Sequence, residues 1–311
     1  MSPTDVGAGT LAALSDDLAD AVARASRSVV AIHARRRIPS SGVVWRDGIV
    51  LAANHTISRE EDISLTLPDG GTARATLAGR DPSTDIAVLR TESNLIPAQH
   101  AGDDQLRVGR MVLALGRPGT EVTASLGIIS AVGGEWRTWQ GGRMDRFVRL
   151  DLSVYDGFSG GPLVDTGGRV LGLNTSGLSR AAALTIPPAT VNRVLDALLQ
   201  RGRIVRGYLG IAVQPVRLPP AMQQQLGLKG RLGLVIINLD GDGPAERAGL
   251  LLGDIITGLN DRDVSDPSDI LASLAAEDVG KRITLRIVRA GTLTTVPVTI
   301  GERPSQKERT A

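Results

Sequence analysis

Short apolar runs separated by turn residues fill the chain from about residue 29 to residue 173. Turns are indicated at residues 46–48 (RDG), 68–71 (PDGG) and 117–119 (RPG), where Asp, Gly and Pro cluster. Many short strands at such spacing, with few helical periods among them, favour an all-β barrel or sandwich. The runs that we predict to be strands are residues 29–32, 42–45, 49–52, 63–67, 86–89, 111–115, 127–130, 147–150, 163–164 and 169–173.

Segments with helical periodicity lie before and after this β region. Apolar residues recur at helical spacing over residues 11–25 and again over residues 188–199. A second, smaller unit follows, in which strands alternate with short helical segments at residues 244–248 and 267–276. The sequence therefore predicts an N-terminal tail and short helix (1–26), a first domain (27–200), a linker (201–206), a second domain (207–301) and a polar tail (302–311).

Composition excludes several classes of protein. The absence of cysteine excludes a disulfide scaffold, a thiolate nucleophile and Cys-ligated zinc, and three histidines argue against a His-rich metal site. A net charge of +2, without a basic stripe interleaved with aromatic residues, argues against binding to nucleic acid. We find no apolar stretch long enough to span a bilayer. The N-terminus has no basic region of the export type, so the sequence as written predicts a cytoplasmic protein.

The heptapeptide at residues 157–163, GFSGGPL, is the most informative motif. A serine hydroxyl is a weak nucleophile unless a base and an anion-stabilising site accompany it. Glycines on both sides of Ser159 let the backbone turn sharply, so the N–H groups of Gly157 and Ser159 can point to one position as an oxyanion hole. A glycine-rich loop with a serine is by itself usually a turn, so the motif needs partners elsewhere in the chain.

A catalytic serine needs a histidine base and an acid that orients it. His55 ends an apolar run (LAANHTI), whereas His33 lies beside an arginine run and His100 in a loop, as surface or packed histidines do. Asp85 heads another apolar run, where the simpler alternative is a strand-end cap. The order of His55, Asp85 and Ser159 along the chain is one of the known linear orders of the Ser-His-Asp triad.

Together these segments resemble the HtrA/Deg family of trypsin-like serine proteases, over residues 14 to 300 or so. The matching stretches are residues 41–44 (SGVV), 53–55 (ANH), 79–89 (GRDPSTDIAVL), 157–163 (GFSGGPL) and 206–211 (RGYLGI). The resemblance implies a mainly β protein, with a chymotrypsin-like double β-barrel followed by a smaller α+β PDZ domain. It also implies hydrolysis of peptide bonds in unfolded or damaged proteins through an acyl-enzyme, with no metal or other cofactor.

The same resemblance assigns roles to individual residues. Ser159 would be the nucleophile, His55 the base, and Asp85 the group that orients His55. The N–H groups of Gly157 and Ser159 would form the oxyanion hole. The residues expected to bind substrate, partly by pairing with it as an added β-strand, are Val154, Thr175, Ser176 and Gly177.

The second unit resembles the permuted PDZ domain of the family. In such domains a loop binds a C-terminal carboxylate with successive backbone N–H groups. The matching loop consists of Tyr208, Leu209, Gly210 and Ile211, of which Leu209 and Ile211 also fit a simple strand core. The partners implied are unfolded polypeptides and peptide C-termini, together with further copies of the chain in a trimer. The resemblance allows a periplasmic or other extracytoplasmic location.

Departures from the family pattern leave a second hypothesis open. Phe158 replaces the asparagine that is usual in the family and the aspartate of digestive trypsin-like enzymes, so activation by N-terminal cleavage is not expected. Its bulk could perturb the oxyanion loop. The pocket region at residues 152–155 (LSVY) carries no acid, which predicts small or medium aliphatic P1 residues. The alternative function is a catalytically silent HtrA-like chaperone or peptide-binding scaffold.

Overall fold

The computed structural model describes residues 3–36, 38–179, 181–204, 207–228, 230–274 and 278–302, with the side chains of the first helix described from residue 9. The chain divides into two units, residues 1–204 and 205–311. Part of the predicted linker, part of the helix predicted at 267–276 and nearly all of the predicted polar tail lie outside the described residues.

The first helix, α1, spans Pro3–Ser26 and begins well before the periodic stretch that predicted it. Proline is favoured in the first turn of a helix, which accounts for the early start. Ala21 and Ala25 near its C-terminal end are buried, whereas Leu11 and Leu14 are exposed. The predicted apolar stripe is therefore covered only toward the end of the helix.

Six antiparallel strands form the first closed barrel, in the order β1-β2-β3-β6-β5-β4. Alternate residues of the same strand serve two cores: Val50 and Ala52 fill this barrel, while Ile49 and Leu51 pack against the second barrel and a later helix. This double burial explains why the run reads as continuously apolar. The strands are β1 (Val29–His33), β2 (Ser40–Arg46), β3 (Ile49–Ala53), β4 (Ile63–Thr66), β5 (Thr72–Asp81) and β6 (Ile86–Arg90).

A second closed barrel follows in the order β11-β14-β13-β12-β7-β8, and a two-stranded ribbon, β9–β10, lies within the connection between β8 and β11. Its interior is lined by Val112, Ile129, Val148 and Leu163, among others. The strands are β7 (Met111–Gly116), β8 (Thr123–Gly133), β9 (Trp136–Arg137), β10 (Arg143–Met144), β11 (Phe147–Asp151), β12 (Pro162–Val164), β13 (Val170–Thr175) and β14 (Ala183–Ile186).

Helix α2 (Pro188–Arg201) packs on strands of both barrels, namely β5, β6 and β13. The stripe predicted for it is buried, including Val191, Val194 and Leu195. The helix ends at Gly202, whose φ of 69° is the left-handed conformation typical of a C-terminal cap. The helix thus packs against both barrels of the first unit.

The second unit is built on a sheet with the order β16-β17-β18-β20-β21, in which β19 pairs with β18. Strand β16 lies at the edge of this sheet and is paired only with β17 in the part of the chain that is described. The elements are β15 (Gly207–Tyr208), β16 (Ile211–Arg217), α3 (Pro220–Leu226), β17 (Leu232–Leu239), α4 (Pro244–Arg247), β18 (Ile255–Leu259), β19 (Arg262–Asp263), α5 (Pro267–Leu271), β20 (Arg282–Arg289), β21 (Thr292–Thr299) and β22 (Gly301–Glu302).

The mainly β fold class, with a double β-barrel followed by a smaller α+β domain, is confirmed. Among the described residues, no helix combines the length and the apolar character that crossing a bilayer requires.

A buried arginine ties helix α1 and the first barrel to the second. Arg117 directly follows β7 and is only 4% exposed. Its guanidinium donates to the carbonyl of Val29 at 2.8 Å, to that of Ser26 at 3.3 Å and to that of Thr120. The end of α1 and the start of β1 are therefore held by a side chain of the second barrel.

We expect Arg117→Met to lower the free energy of unfolding of the barrel unit by about 3 kcal/mol, because the substitution leaves buried carbonyls without a donor. Arg90→Met is the matched control, since Arg90 is exposed at the end of β6, and it should cost well under about 1 kcal/mol. Chemical denaturation of the full chain measures both. Equal losses in the two variants would contradict the structural role of Arg117.

Candidate active site

The residues predicted to form a triad come from the ends of strands in both barrels. His55 lies in a short 3-10 helix, Asn54–Thr56, directly after β3, and Asp85 immediately precedes β6. Ser159 lies in the loop between β11 and β12 of the second barrel. Because the two barrels pack against each other, these strand ends meet in one place.

Several hydrogen bonds of the site converge on the side chain of Asp85. Its carboxylate accepts the backbone N–H of His55 at 2.8 Å, faces His55 Nδ1 at 2.8 Å and accepts the hydroxyl of Thr175. It is 3% exposed, and its φ of 59° is the left-handed region that Asp tolerates better than most residues. The backbone thus aims the carboxylate at the imidazole, and the acceptor at Nδ1 leaves Nε2 free of a proton.

The other two histidines lie away from this cluster. His33 Nε2 lies 2.8 Å from the hydroxyl of Thr66, on the neighbouring strand β4. The His100 ring packs on Trp45, with ring centroids 4.2 Å apart, and burial lowers its pKa. Both are therefore packed histidines, which leaves His55 as the base available to Ser159.

Ser159 lies beside His55, but its hydroxyl is bonded to a different residue. Ser159 Oγ is 3.0 Å from Ser176 Oγ and accepts the Ser176 N–H at 3.2 Å. Ser176 Oγ in turn lies 3.5 Å from His55 Nε2. Within the described residues, no hydrogen bond joins Ser159 Oγ directly to Nε2. The structure therefore brings the three predicted residues together with the Ser176 hydroxyl between two of them.

The turn before Ser159 has the form that an oxyanion hole requires. The N–H of Phe158 donates to the carbonyl of Tyr155 at 3.0 Å, and Gly157 has a φ of 88°, which makes this a type II turn. In the described part of the chain, neither the N–H of Gly157 nor that of Ser159 donates to a protein acceptor. A Cβ on Gly157 would lie 2.7 Å from Pro118 Cβ, so the position requires glycine.

A buried serine that the sequence did not point out fixes this turn from behind. Ser41 Oγ donates to the carbonyl of Gly157 at 2.6 Å and accepts the backbone N–H of Arg117 at 2.7 Å. Ser41 is fully buried. With its carbonyl held away from the site, the peptide after Gly157 cannot turn over without breaking a buried hydrogen bond. Ser41 belongs to a stretch that marked the family resemblance, and nothing in that pattern indicated the contact.

Phe158 stabilises the turn by packing, and does not distort it. Its ring is fully buried in the core of the second barrel and meets Tyr155 edge-on, with centroids 5.3 Å apart. Gly116 provides the space, since a Cβ there would lie 2.6 Å from the ring. The expectation that this bulk could perturb the oxyanion loop is therefore not met by the geometry. An apolar side chain anchors the turn at a position where a polar one is usual.

The residues predicted to bind substrate differ in their surroundings. Val154 is half-buried against the core of the second barrel. Thr175 is buried at the end of β13 and is committed to Asp85, while Ser176 and Gly177 continue the chain beside His55. A Cβ on Gly177 would lie 2.6 Å from His55 Nδ1 and 2.7 Å from Asp85 Oδ2, so this glycine covers the His–Asp pair closely.

The loop predicted to bind a carboxylate lies in the second unit, at the start of the edge strand β16. Tyr208 pairs with β22 and donates its hydroxyl to Asp240, while Leu209 is 2% exposed. Gly210 has a φ of 78° and Ile211 begins β16. Of the described acceptors, none receives the N–H of Leu209 or that of Gly210. Two successive amides with a left-handed glycine form the concave arrangement that suits an anion.

Comparison with known proteins gives two family matches and close relatives. Residues 40–173 match the model of the trypsin-like peptidase domain, and residues 207–300 match that of the PDZ domain. A probable periplasmic serine endoprotease, DegP-like, from Brucella suis is 36% identical over 285 residues, covering 88% of this chain and 55% of the relative. Its counterpart from Rhizobium meliloti is 34% identical, with 89% and 56% covered. The chain thus spans about half the length of the curated relatives it matches.

Solved structures with the same fold extend over both units. The HtrA-type protease AlgW with a tripeptide is 32% identical, with a TM-score of 0.70, and the match covers 93% of this chain and 98% of that one. The serine endoprotease from Yersinia pestis is 30% identical, with a TM-score of 0.71, covering 92% and 98%.

We expect Phe158→Ala to lower the free energy of unfolding of the barrel unit by about 4 kcal/mol, as for other fully buried aromatic side chains. Phe147→Ala, at a half-buried ring on β11, is the matched control and should cost clearly less. Calorimetry of the full chain measures both, with unfolding of the second unit as the internal reference. If the two substitutions cost the same, the ring does not anchor the turn.

Proposed function

The chain belongs to the HtrA family of trypsin-like serine proteases, and we propose that it is a serine endopeptidase that hydrolyses peptide bonds in unfolded or damaged polypeptides. One arrangement carries the proposal: Asp85 orients His55, and Ser159 lies next to it in a turn whose N–H groups at Gly157 and Ser159 have no acceptor among the described residues. An endopeptidase needs these groups together, and a purely structural protein does not.

In the mechanism that we propose, rotation about the Cα–Cβ bond of Ser159 brings its hydroxyl to His55 Nε2. Nε2 takes the proton while Oγ bonds to the substrate carbonyl carbon, and the carbonyl π pair moves onto oxygen. The N–H groups of Gly157 and Ser159 bind that oxyanion. His55 then protonates the leaving amine, and water hydrolyses the acyl-enzyme by the same steps. Asp85 holds the Nδ1–H tautomer throughout and stabilises the imidazolium.

The substrate that we propose is an extended chain paired along Thr175, Ser176 and Gly177. Thr175 is the last residue of β13 that is paired with β14, and Ser176 and Gly177 continue the chain beyond it. The N–H groups of Ser176 and Gly177 donate to Ser159 Oγ and Thr175 Oγ1, whereas no described backbone donor reaches their carbonyls, which are therefore available to an added strand. Val154 would line the pocket for the P1 side chain. Without an acid at residues 152–155, that pocket favours small or medium aliphatic side chains over Arg and Lys.

For the second unit we propose binding of peptide C-termini. The amides of Leu209 and Gly210 would receive the carboxylate, and the peptide would add a strand to the free edge of β16. The HtrA-type protease AlgW has been solved with a tripeptide and with a decapeptide, which supports peptide binding in this family.

Our proposals for the location and the oligomeric state of the chain are based on its relatives and its family. The curated relatives are named periplasmic, which gives no support to the cytoplasmic expectation, and we propose a periplasmic or other extracytoplasmic location.

By family resemblance we propose a homotrimer. Sedimentation equilibrium would measure it, and a monomer at micromolar concentration would contradict it.

The triad assignment is tested first by cleavage of casein. We expect the wild-type chain to degrade it, Ser159→Ala to be inactive, and Asp85→Asn to be slower by about 10⁴-fold, because the amide favours the wrong imidazole tautomer. If neither the wild type nor Ser159→Ala cleaves casein, even with C-terminal peptides added, the alternative of a silent chaperone or scaffold is favoured.

Carboxylate recognition is tested separately in the Ser159→Ala variant, which keeps peptides intact. We expect a fluorescent peptide with a free C-terminal valine to bind tenfold to a hundredfold more tightly than the same peptide with a C-terminal amide, as charge-assisted hydrogen bonds are lost in the amide (about 1.5–3 kcal/mol). Fluorescence anisotropy measures both affinities. Equal affinities would contradict the assignment of the loop at Leu209 and Gly210.

A further inference from the structure

The hydroxyl of Ser176 occupies the position between the proposed nucleophile and its base. It lies 3.0 Å from Ser159 Oγ and 3.5 Å from His55 Nε2, and the Ser176 N–H donates to Ser159 Oγ at 3.2 Å. Sequence analysis assigned Ser176 only to the backbone strand that pairs with substrate. Its side chain therefore has a place in the site that the proposed mechanism does not use.

The direction of these hydrogen bonds follows from Asp85. Because Asp85 Oδ2 faces His55 Nδ1 at 2.8 Å, the neutral imidazole that acts as a base carries its proton on Nδ1, and its Nε2 accepts. With Nε2 as an acceptor, the order of hydrogen bonds that satisfies all three groups has Ser176 Oγ donating to Nε2 and accepting from Ser159 Oγ. Ser159 Oγ is then engaged twice by Ser176, as a donor to the hydroxyl and as an acceptor from the N–H.

Nε2 has one lone pair, so the two serines compete for it. The contact between the serines is the shorter one, whereas 3.5 Å is at the outer limit for an O–H···N hydrogen bond. The long contact to Nε2 is a poor path for proton transfer, and the N–H of Ser176 occupies a lone pair with which Ser159 would attack. The arrangement therefore favours a state in which Ser176 holds the Ser159 hydroxyl, and it disfavours transfer of the Ser159 proton through Ser176 to His55.

We propose that Ser176 is a positioning residue that holds Ser159 away from His55 in the resting site. The inference rests on the proposed function, since it concerns the same nucleophile and base. In the released state Ser159 turns to Nε2, its proton passes to the imidazole as Oγ bonds to the substrate carbon, and Ser176 takes no part. Pairing of a substrate strand along Thr175–Gly177 engages the Ser176 backbone and thereby favours release.

Replacement of the hydroxyl tests the proposal. In Ser176→Ala the hydroxyl of Ser159 loses its side-chain partner and Nε2 becomes its best acceptor, so we expect diisopropyl fluorophosphate to inactivate this variant about threefold to tenfold faster than the wild type. Ser176→Thr keeps the hydroxyl and should react close to the wild-type rate. Ser130→Ala, on β8 and bonded to the carbonyl of Arg149, is the matched control and should match the wild type.

Two kinetic results would overturn the inference. An unchanged rate in Ser176→Ala would mean that the hydroxyl does not restrain Ser159. A rate at least tenfold lower in Ser176→Ala, restored by Ser176→Thr, would make the hydroxyl a proton relay. Thermal unfolding of each variant, expected within a few degrees of the wild type, separates these results from loss of the fold.

Crystal structures of the wild type and of Ser176→Ala test the inference without relying on activity. We expect Ser159 Oγ on Ser176 in the wild type and within hydrogen-bond distance of Nε2 in the variant. The same Ser159 position in both would overturn the proposal. If no variant reacts with the fluorophosphate but Ser159 moves as expected, the endopeptidase function fails and the restraint by Ser176 stands.

Discussion

The arrangement of the site depends on the carboxylate of Asp85, which three donors from two barrels share. The backbone N–H and the ring of His55 come from the end of one strand of the first barrel, and the Thr175 hydroxyl comes from the second barrel. A buried carboxylate is costly unless donors surround it, so the packing of the barrels and the orientation of the imidazole stabilise each other. The left-handed backbone at Asp85 is the local strain that this arrangement offsets.

The oxyanion turn is held by a different kind of interaction. Its carbonyl at Gly157 is tied to Ser41 and through it to the backbone of Arg117, while Phe158 is inserted into the core of the second barrel. Both anchors form as the barrels fold, because they consist of core packing and backbone hydrogen bonds. A turn anchored in this way needs no newly formed N-terminal amine as a charge partner, and activation without cleavage stays a prediction.

Local patterns predicted an all-β barrel or sandwich, whereas the double barrel and the pairing of His55 with Asp85 were implied by the family resemblance. Turn residues separate the strands. His55 follows an apolar run, and Asp85 directly precedes one. Contacts that depend on side-chain direction could not be predicted in this way. The space that Gly116 leaves for Phe158 and the direction of the Ser159 hydroxyl are set by packing and by competition between hydrogen bonds of similar free energy. The early start of α1 was missed because apolar periodicity begins only at Leu11.

Three serines lie within a short distance of one another, and the acceptor that each finds decides what it can do. Ser41 is fully buried and bonded to two backbone groups, so its hydroxyl is fixed and has no base beside it. Ser159 and Ser176 share a single unprotonated nitrogen, that of His55. Whichever hydroxyl donates to that nitrogen becomes the better nucleophile, because only its proton can leave as it attacks. Ser159 lies in the oxyanion turn, where its own N–H and that of Gly157 have no acceptor in the described part of the chain, so the oxyanion hole selects it as the nucleophile. The hydrogen bonds of Ser176 determine how often Ser159 reaches the base.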